Sequence, residues 1–237
     1  MNVLFIKTSL FVWLLSISFH SGAQSNTATE NRNLSGFSSV VLNVPAMLTV
    51  SQSEEFLVQM EGPKELLDEL ITELKGDRLL IRYRENKWPS ASEKALQIYI
   101  KLPDVTGLEL NGSGTITVIT ELNSKNLALE VNGSGNIKTR NIKVENLTAT
   151  INGSGGILEL GGQANMAEME VNGSGKIDAD KLMCTNTSAT TTGSGNISAG
   201  TPASIDATIT GSGTIFYNGN ASSIKKNVTG SGKVIQH

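Results

Sequence analysis

The sequence predicts an all-β protein in which residues 105–237 form a β-solenoid, a single-stranded parallel β-helix of about seven coils. Three observations support this prediction. The triplet GSG occurs seven times, at intervals of 18 to 21 residues. The residues before each copy alternate between apolar and polar, and one aliphatic residue follows each copy in the same phase. A fixed period near 20 residues is typical of stacked repeats, and alternation with period two is typical of strands.

The strand before each triplet has one apolar face. In "LALEVNGSG", Leu127, Leu129 and Val131 lie on one side of a strand, while Ala128 and Glu130 lie on the other. Later repeats keep the pattern, so we expect the apolar side chains to stack in columns that fill the interior. The aliphatic residues after the triplets form a further inward column: Ile116, Ile137, Ile157, Ile177, Ile197, Ile215 and Val234.

The GSG triplets are predicted to be the corners of the coils. Glycine allows a positive φ there, or close packing against the next coil. The Asn or Thr before each triplet, and the serine within it, would pass hydrogen bonds between coils. A nucleotide-binding loop is disfavoured, because no copy fits the Walker pattern GxxxxGK[ST] and the next element is a strand rather than a helix. The corner glycines are Gly112, Gly114, Gly133, Gly135, Gly153, Gly155, Gly173, Gly175, Gly193, Gly195, Gly211, Gly213, Gly230 and Gly232.

Residues 36–104 are predicted to be strands and one short helix that cap the solenoid and are continuous with it. "FSSVVLNV", "AMLTVSQS", "FLVQM" and "ALQIYIKLP" have the composition of strands. Pro63 is well placed at the start of a helix whose apolar face is Leu66, Leu67 and Leu70. "LKGDRLLIRY" is typical of a hairpin that turns at Gly76 and Asp77. A cap of this kind would cover the exposed edge of the first coil.

The N-terminus predicts export. Residues 1–23 have an early lysine, an apolar run that is short for a membrane span, and small residues before Gln24, as in a secretory signal peptide. Residues 24–35 are then the flexible start of the mature chain. We expect the protein in the periplasm, on the outer cell surface or in the medium, with no integral membrane segment once the signal is removed.

The composition disfavours several kinds of chemistry. His237 is the only histidine outside the predicted signal peptide, so one mature chain cannot build a Ser-His-Asp triad or a multi-histidine zinc site. The net charge is −3 and no basic stripe is visible, so we expect no nucleic-acid partner. Cys184 is the single cysteine and cannot form an internal disulfide. We therefore expect no catalytic residues, no metal and no cofactor.

Two places remain as candidate sites. Asp178 and Asp180 are predicted to share an outward face, where paired carboxylates can perform acid-base catalysis, although a solvated strand surface is the commoner role. The segment "YRENKWPS" offers Trp88 and Arg84 as ligand-binding residues, with the alternative that Trp88 packs over the cap. An outward Thr-rich array is interrupted by glutamates, among them Glu168, and this disfavours ice binding.

The sequence also resembles a known family. "GFSSVVLNVPAMLTVSQ", "GDRLLIRY", "IYIKLPDVTGLELNGSGTI" and the reiterated "GSGxI" are similar to the head GIN domain of auto-transporter adhesins. This resemblance covers about residues 30–237. It implies a β-solenoid, export to the envelope and an adhesive role, and it implies no catalytic residues.

Three functions are compatible with these observations. The first is an exported, non-enzymatic, adhesin-like envelope protein whose partner is a glycan or a surface protein. The second is a structural or assembly module, and the third is a carbohydrate-active enzyme that would depend on Asp178 and Asp180. For the C-terminal solenoid end we expect either a monomer protected by Lys226, a charge at an otherwise apolar position, or a weak homodimer.

Overall fold

The computed structural model describes residues 27–84 and 96–237 of the chain. This part is nearly all strand, with one short helix, α1 (Lys64–Glu69). The strands are numbered along the chain and form two sheets. Sheet A contains, in spatial order, β1 (Thr27–Asn31), β4 (Leu57–Pro63), β7 (Gln97–Leu102), β3 (Met47–Gln52), β9 (Thr115–Val118), β11 (Asn136–Thr139), β13 (Gly156–Leu158), β15 (Lys176–Asp178), β17 (Asn196–Ser198), β19 (Thr214–Tyr217) and β21 (Lys233–Gln236). Sheet B contains, in spatial order, β20 (Ser223–Gly230), β18 (Thr201–Gly211), β16 (Lys181–Gly193), β14 (Gly161–Gly173), β12 (Ile142–Gly153), β10 (Leu122–Gly133), β8 (Gly107–Gly112), β2 (Ser39–Leu42), β6 (Arg78–Tyr83) and β5 (Leu70–Lys75).

The GSG corners carry the chain from sheet B to sheet A. From β8 and β9 onward each strand lies parallel to the equivalent strand of the next coil, so that Gly112, Gly133 and Gly153 pair in register. The predicted β-solenoid is confirmed, and the seven corners bound about six turns. The rise is about 4.8 Å per coil, because the coils are joined as hydrogen-bonded strands.

The interior is filled by the predicted apolar columns. Leu127, Leu129 and Val131 are all at most 1% exposed, as expected from their alternation. The column after the corners is completely buried from Ile116 to Ile215, and only Val234 in the last coil is half-buried. The core therefore runs as one continuous cluster from the N-terminal part to β19.

Both glycines of a corner are required, for different reasons. Gly153 has a φ of 136°, which other residues rarely adopt, and a Cβ at this position would lie 2.4 Å from the carbonyl oxygen of Gly133. At Gly155 the limit is space, because a Cβ would lie 2.3 Å from the Gly135 carbonyl oxygen and 2.7 Å from Val131 Cγ1. Each coil thus packs its corner backbone directly on the backbone of the preceding coil.

An asparagine ladder runs beside these corners, as the sequence predicted for the asparagines. The Asn132 amide donates to Asn111 Oδ1 at 2.9 Å, Asn152 donates to Asn132 at 2.9 Å, and Asn172 donates to Asn152 at 3.1 Å. The ladder also extends further than predicted, since Asn111 donates to Asn43 Oδ1 at 2.6 Å. In the serine column, the hydroxyls of the last two corners lie 3.2 Å apart.

The N-terminal part begins as solenoid and ends as a cap. Strand β2 pairs in parallel with β8, and β3 pairs in parallel with β9. The intervening "NVPA" at 43–46 is thus aligned with "NGSG" at 111–114 and forms a corner without glycine. Beyond this coil the pairings β4–β7, β1–β4 and β5–β6 are antiparallel, and they close the end of the stack.

Two details of this part differ from the sequence prediction. Helix α1 ends at Glu69, and Leu70 already begins β5, because β5 pairs with β6 in the predicted hairpin around Gly76 and Asp77. Residues 24–35 were expected to be flexible, but Thr27–Asn31 forms β1 on the edge of β4.

The predicted signal peptide, residues 1–23, lies outside the described residues. Within the described ranges, no helix has the length and apolar character needed to cross a membrane.

The long strands of sheet B bend once in every coil. Their pairing skips one residue at an equivalent position, namely Lys125, Glu145, Asn165 and Thr185. Beside the skipped residue the alternation breaks, so that two neighbouring residues, such as Glu145 and Asn146, are both accessible before Leu147 is buried. The bends of successive coils line up along the solenoid axis and shape the outer surface of sheet B.

Candidate binding groove

A groove with a volume of about 460 Å³ follows the bend on the outside of sheet B. It extends over five coils, from Asn146 in β12 to Ser223 in β20. Four steps of about 4.8 Å give a length of about 19 Å. Its first wall is formed by Asn146, Met166, Asn186, Ser204 and Ser223, and its second by Thr148, Glu168, Ser188, Asp206 and Lys225.

The floor of the groove lies between these two columns. It is formed by Leu147, Ala167, Thr187 and Ile205, which are at most 4% exposed and belong to an inward column. Because the coils are in register, every coil contributes one residue to each wall. The groove is therefore a periodic surface, with equivalent positions about 4.8 Å apart.

Most of the wall side chains are neutral, and three of them form hydrogen bonds between neighbouring coils. Asn146 donates to Asn126 Oδ1 at 2.8 Å, and the Ser204 hydroxyl donates to Asn186 Oδ1 at 2.9 Å. An asparagine amide has two N–H donors and two acceptor lone pairs, so these bonds leave capacity for a ligand. The walls can both donate and accept hydrogen bonds along their length.

The charges in the groove nearly cancel. Lys225 Nζ lies 2.7 Å from Asp206 Oδ2, which leaves Glu168 as the wall charge outside this ion pair. Because the remaining charge is negative, the groove walls do not attract a polyanion.

The groove also has one exposed apolar wall residue. Met166 is 58% exposed and occupies the position that is asparagine in the coils on both sides. Met183 in the next coil is similarly exposed, at 54%, but it does not line the groove. An unbranched thioether packs adaptably against apolar ligand surfaces.

The single cysteine lies outside the groove, two residues before the wall residue Asn186 on β16. Cys184 is buried, and its thiol donates to the backbone carbonyl of Asn186 at 3.1 Å. Burial raises the pKa of the Cys184 thiol above its usual range, an effect that its hydrogen bonds to Thr187 and nearby backbone groups only partly offset. The thiol is therefore neutral and weakly reactive at neutral pH.

The predicted carboxylate pair lies elsewhere, at the corner where the chain returns from sheet A to sheet B. Ile177 and Ala179 are completely buried, as expected, and the aspartates point outward into a depression of about 560 Å³. Asp178 Oδ2 lies 2.8 Å from Lys176 Nζ, and Asp180 Oδ1 accepts a hydrogen bond from Asn218 at 2.7 Å. Each carboxylate thus has its own polar partner, and the described residues contain no cluster of three or more groups suited to a metal ion.

Of the two predicted ligand residues, the structure describes Arg84, which lies outside the groove. Trp88 lies outside the described residues. Arg84 follows β6, where its Nε lies 3.6 Å from Glu69 Oε2 and its side chain is 63% exposed. In sheet B, the strands β2, β8 and β10 separate β6 from the first groove strand, β12. The four strand steps across the sheet alone therefore separate Arg84 from the near end of the groove by about 19 Å.

The groove was not predicted from the sequence, although the sequence contains a residue pattern that marks it. The first-wall residue precedes the first corner glycine by seven positions in each groove coil, and it follows a polar residue in every one of these coils except that of Ser204, which follows Ala203. This break in the alternation marks the bend.

The last coil has an open side in the described structure. Ile224 and Val228 of β20 are 43% and 42% exposed, although their partners Ile205 and Ile209 are buried. Lys226 pairs with the buried Ala207, and its Nζ lies 5.6 Å from the centre of the Tyr217 ring. A lysine therefore occupies the inward register of the outermost strand in sheet B.

Comparisons with known proteins agree with this architecture. A "putative adhesin" from Bacteroides fragilis has a similar structure with a TM-score of 0.79 and 22% identity, over 89% of this chain and 97% of that chain. A "putative lipid binding protein" from Parabacteroides distasonis has a TM-score of 0.73 and 24% identity, over 90% and 98% of the two chains. A "putative adhesin" from Parabacteroides merdae has a TM-score of 0.71 and 19% identity, over 90% and 97%. At these identities the likeness shows the fold.

The family is shown by the sequence itself. No curated protein matches the chain. The family model described as "Putative auto-transporter adhesin, head GIN domain" matches residues 36–221, which include most of the cap, the asparagine ladder and most of the groove. The chain therefore belongs to the head GIN domain family of auto-transporter adhesins.

Proposed function

We propose that the protein is an exported, non-enzymatic, adhesin-like protein of the cell envelope that contacts its target through the groove on sheet B. The observation that carries this proposal is the groove itself. It presents the same two walls over five coils and offers hydrogen-bonding side chains along about 19 Å. Family membership and the adhesin names of two similar structures support the same role.

The non-enzymatic part of the proposal rests on the side chains available. The groove has an ion pair and neutral groups, with Glu168 as its remaining charge. Most hydrolases that act on glycans use two carboxyl groups that flank one bond. The depression at the return corner holds Glu159, Asp178 and Asp180, and each of these carboxylates is engaged with its own partner. We therefore assign binding, and no reaction, to this surface.

The binding role is tested by attachment. Beads coated with the purified protein are applied to immobilised polysaccharides and to extracellular-matrix proteins. Ser188→Arg places a long charged side chain in the groove, whereas Thr190→Arg makes the same change on the same strand outside it. We expect retention on at least one surface, with loss for the Ser188 variant and no loss for the Thr190 variant. Equal retention by both variants would remove the groove from the proposal, and no retention at all would remove the adhesive role.

Export is tested separately. We expect the mature protein in the periplasmic, surface or medium fraction of the producing cell, with an N-terminus that begins near Gln24. An uncleaved chain in the cytoplasmic fraction would contradict export.

An assembly module is the second candidate, because one observation favours it. β20 has an unpaired edge with Ile224 and Val228 exposed, and an exposed apolar edge strand is a template for pairing with another chain. In this role the protein would form a weak homodimer through the C-terminal solenoid end, with Lys226 opposing the association.

A further inference from the structure

We propose that the groove on sheet B binds a single linear, neutral glycan chain that lies parallel to the solenoid axis. This inference rests on the proposed adhesive function and names its ligand class. It combines three properties of the groove, namely its direction, its period and the chemistry of its walls.

The direction and the period favour a polymer of repeating units. The walls run across the strands, so a bound chain meets an equivalent pair of wall positions in every coil. The spacing between coils is about 4.8 Å, close to the length of one pyranose unit in an extended chain. A polymer with this repeat can offer the same groups to successive coils, which a compact ligand cannot do.

The wall chemistry favours hydroxyl groups over charges. Two amides, Asn146 and Asn186, and the three hydroxyl groups of Thr148, Ser188 and Ser223 can each donate and accept hydrogen bonds. The Ser204 hydroxyl donates to Asn186 and can still accept. Sugar hydroxyl groups have the same dual capacity. With Asp206 paired to Lys225, the charge that remains is the negative Glu168, which opposes an acidic glycan or a nucleic acid.

The apolar parts of the groove match the C–H faces of a sugar ring. Met166 projects from the first wall, and the floor beside it is formed by Ala167. An extended peptide fits less well, because peptides usually add to the free edge of a sheet through main-chain hydrogen bonds, and the groove lies on a sheet face. A lipid acyl chain also fits less well, because walls of Asn, Ser and Thr would leave it in contact with polar groups.

The groove has no aromatic wall, and this sets the expected strength of binding. Without ring stacking each sugar unit contributes little, so affinity should accumulate with chain length. A groove of about 19 Å accommodates about four units. We expect Kd to fall by about tenfold or more between the disaccharide and the tetrasaccharide, and to change little for longer chains.

The experiment titrates the purified protein with neutral gluco-, manno- and galacto-oligosaccharides of two to eight units, by calorimetry or by NMR. Two matched pairs of variants locate the site. Met166→Ala removes an exposed methionine from the wall, and Met183→Ala removes one outside the groove. Ser188→Arg obstructs the groove, and Thr190→Arg does not. We expect at least one neutral series to bind with the stated length dependence, and the first member of each pair to weaken binding by about tenfold or more while the second leaves it unchanged.

Control ligands separate this proposal from its alternatives. Oligogalacturonate probes acidic glycans, vesicles of phosphatidylcholine with phosphatidylglycerol probe lipids, and an extended Ser/Thr-rich peptide probes polypeptides. The proposal is overturned if no neutral series binds, if the paired variants behave alike, or if one of these controls binds more tightly than every neutral series. Attachment to a matrix protein through the groove, without oligosaccharide binding, would overturn the glycan assignment and leave the adhesive function intact.

Discussion

The buried column after the GSG corners allows a sharp test of the solenoid interior, through Ile157→Asp. Ile157 is completely buried and pairs with Ile137 and Ile177 in the neighbouring coils. Removing the apolar side chain costs about 2–5 kcal/mol, as in other truncations of large buried residues. The carboxyl group then has no polar partner in the column, which costs about 1–3 kcal/mol more even when it is protonated. A total of about 3–8 kcal/mol is comparable to the whole stability of a typical domain.

The effect should also depend on pH, with a sign fixed by the burial. An apolar surrounding raises the pKa of the introduced carboxyl group in the folded state above its unfolded value. The folded state then binds more protons than the unfolded state, so the stability of the variant falls as pH rises through this range. We expect the loss to be larger at pH 7 than at pH 4.

Urea denaturation and calorimetry measure both effects. Ile119→Asp is the matched control, because Ile119 is 65% exposed and the same change there should alter stability by no more than about 0.5 kcal/mol. A melting temperature for the Ile157 variant within a degree or two of the parent at pH 7 would refute the inward assignment of the column.

Four further predictions follow from other parts of the molecule. Gly155→Ala should destabilise the protein by about 1–3 kcal/mol in urea, because the added Cβ meets backbone atoms of the preceding coil, and an unchanged midpoint would contradict this packing. Cys184 should react slowly with a disulfide reagent at pH 7 in the native protein and rapidly in denaturant, since burial raises its pKa, and equal rates would contradict the buried thiol. Asp178→Ala and Asp180→Ala should leave all binding intact, and glycan cleavage by the parent that is lost in these variants would show an enzyme. Lys226→Val should strengthen self-association in sedimentation, whereas strict monomers for parent and variant at high concentration would exclude the end-to-end dimer.

The fold was predictable from the sequence because each coil is local and repeated. The alternation around Leu129 and the aliphatic residue after each corner specify which side faces inward, and no long-range information is needed. The corner at Asn43 was not predicted, because it has no GSG triplet and its alignment with Asn111 depends on the pairing of β2 with β8. Helix α1 ended before Leu70 for a similar reason, since pairing with β6 overrides the local helical pattern.

The candidate site was less predictable, because a groove is a property of several coils together. Asn146 and Asn186 are ordinary polar residues when each coil is read alone. They become one wall only through the register that places them on either side of Met166. Trp88 and Arg84 were selected for their residue types, and their role as ligand-binding residues stays a prediction.

The coils differ in length, and the place where they differ indicates that the groove side of the solenoid has the more constrained spacing. One coil spans 18 residues between corners and another spans 21, yet the first groove wall always precedes the corner glycine by seven residues. The shortening to 18 is taken up between Ser198 and Thr201, where β17 returns to β18, since the pairing offset is 20 at Ser198 and 18 at Thr201. The equivalent return corner of the preceding coil, between β15 and β16, holds Asp178 and Asp180. A site that required several coils in register could not tolerate such changes, whereas the groove retains its spacing throughout. A ligand that contacts equivalent residues in successive coils is therefore expected on sheet B, and not at the return corner.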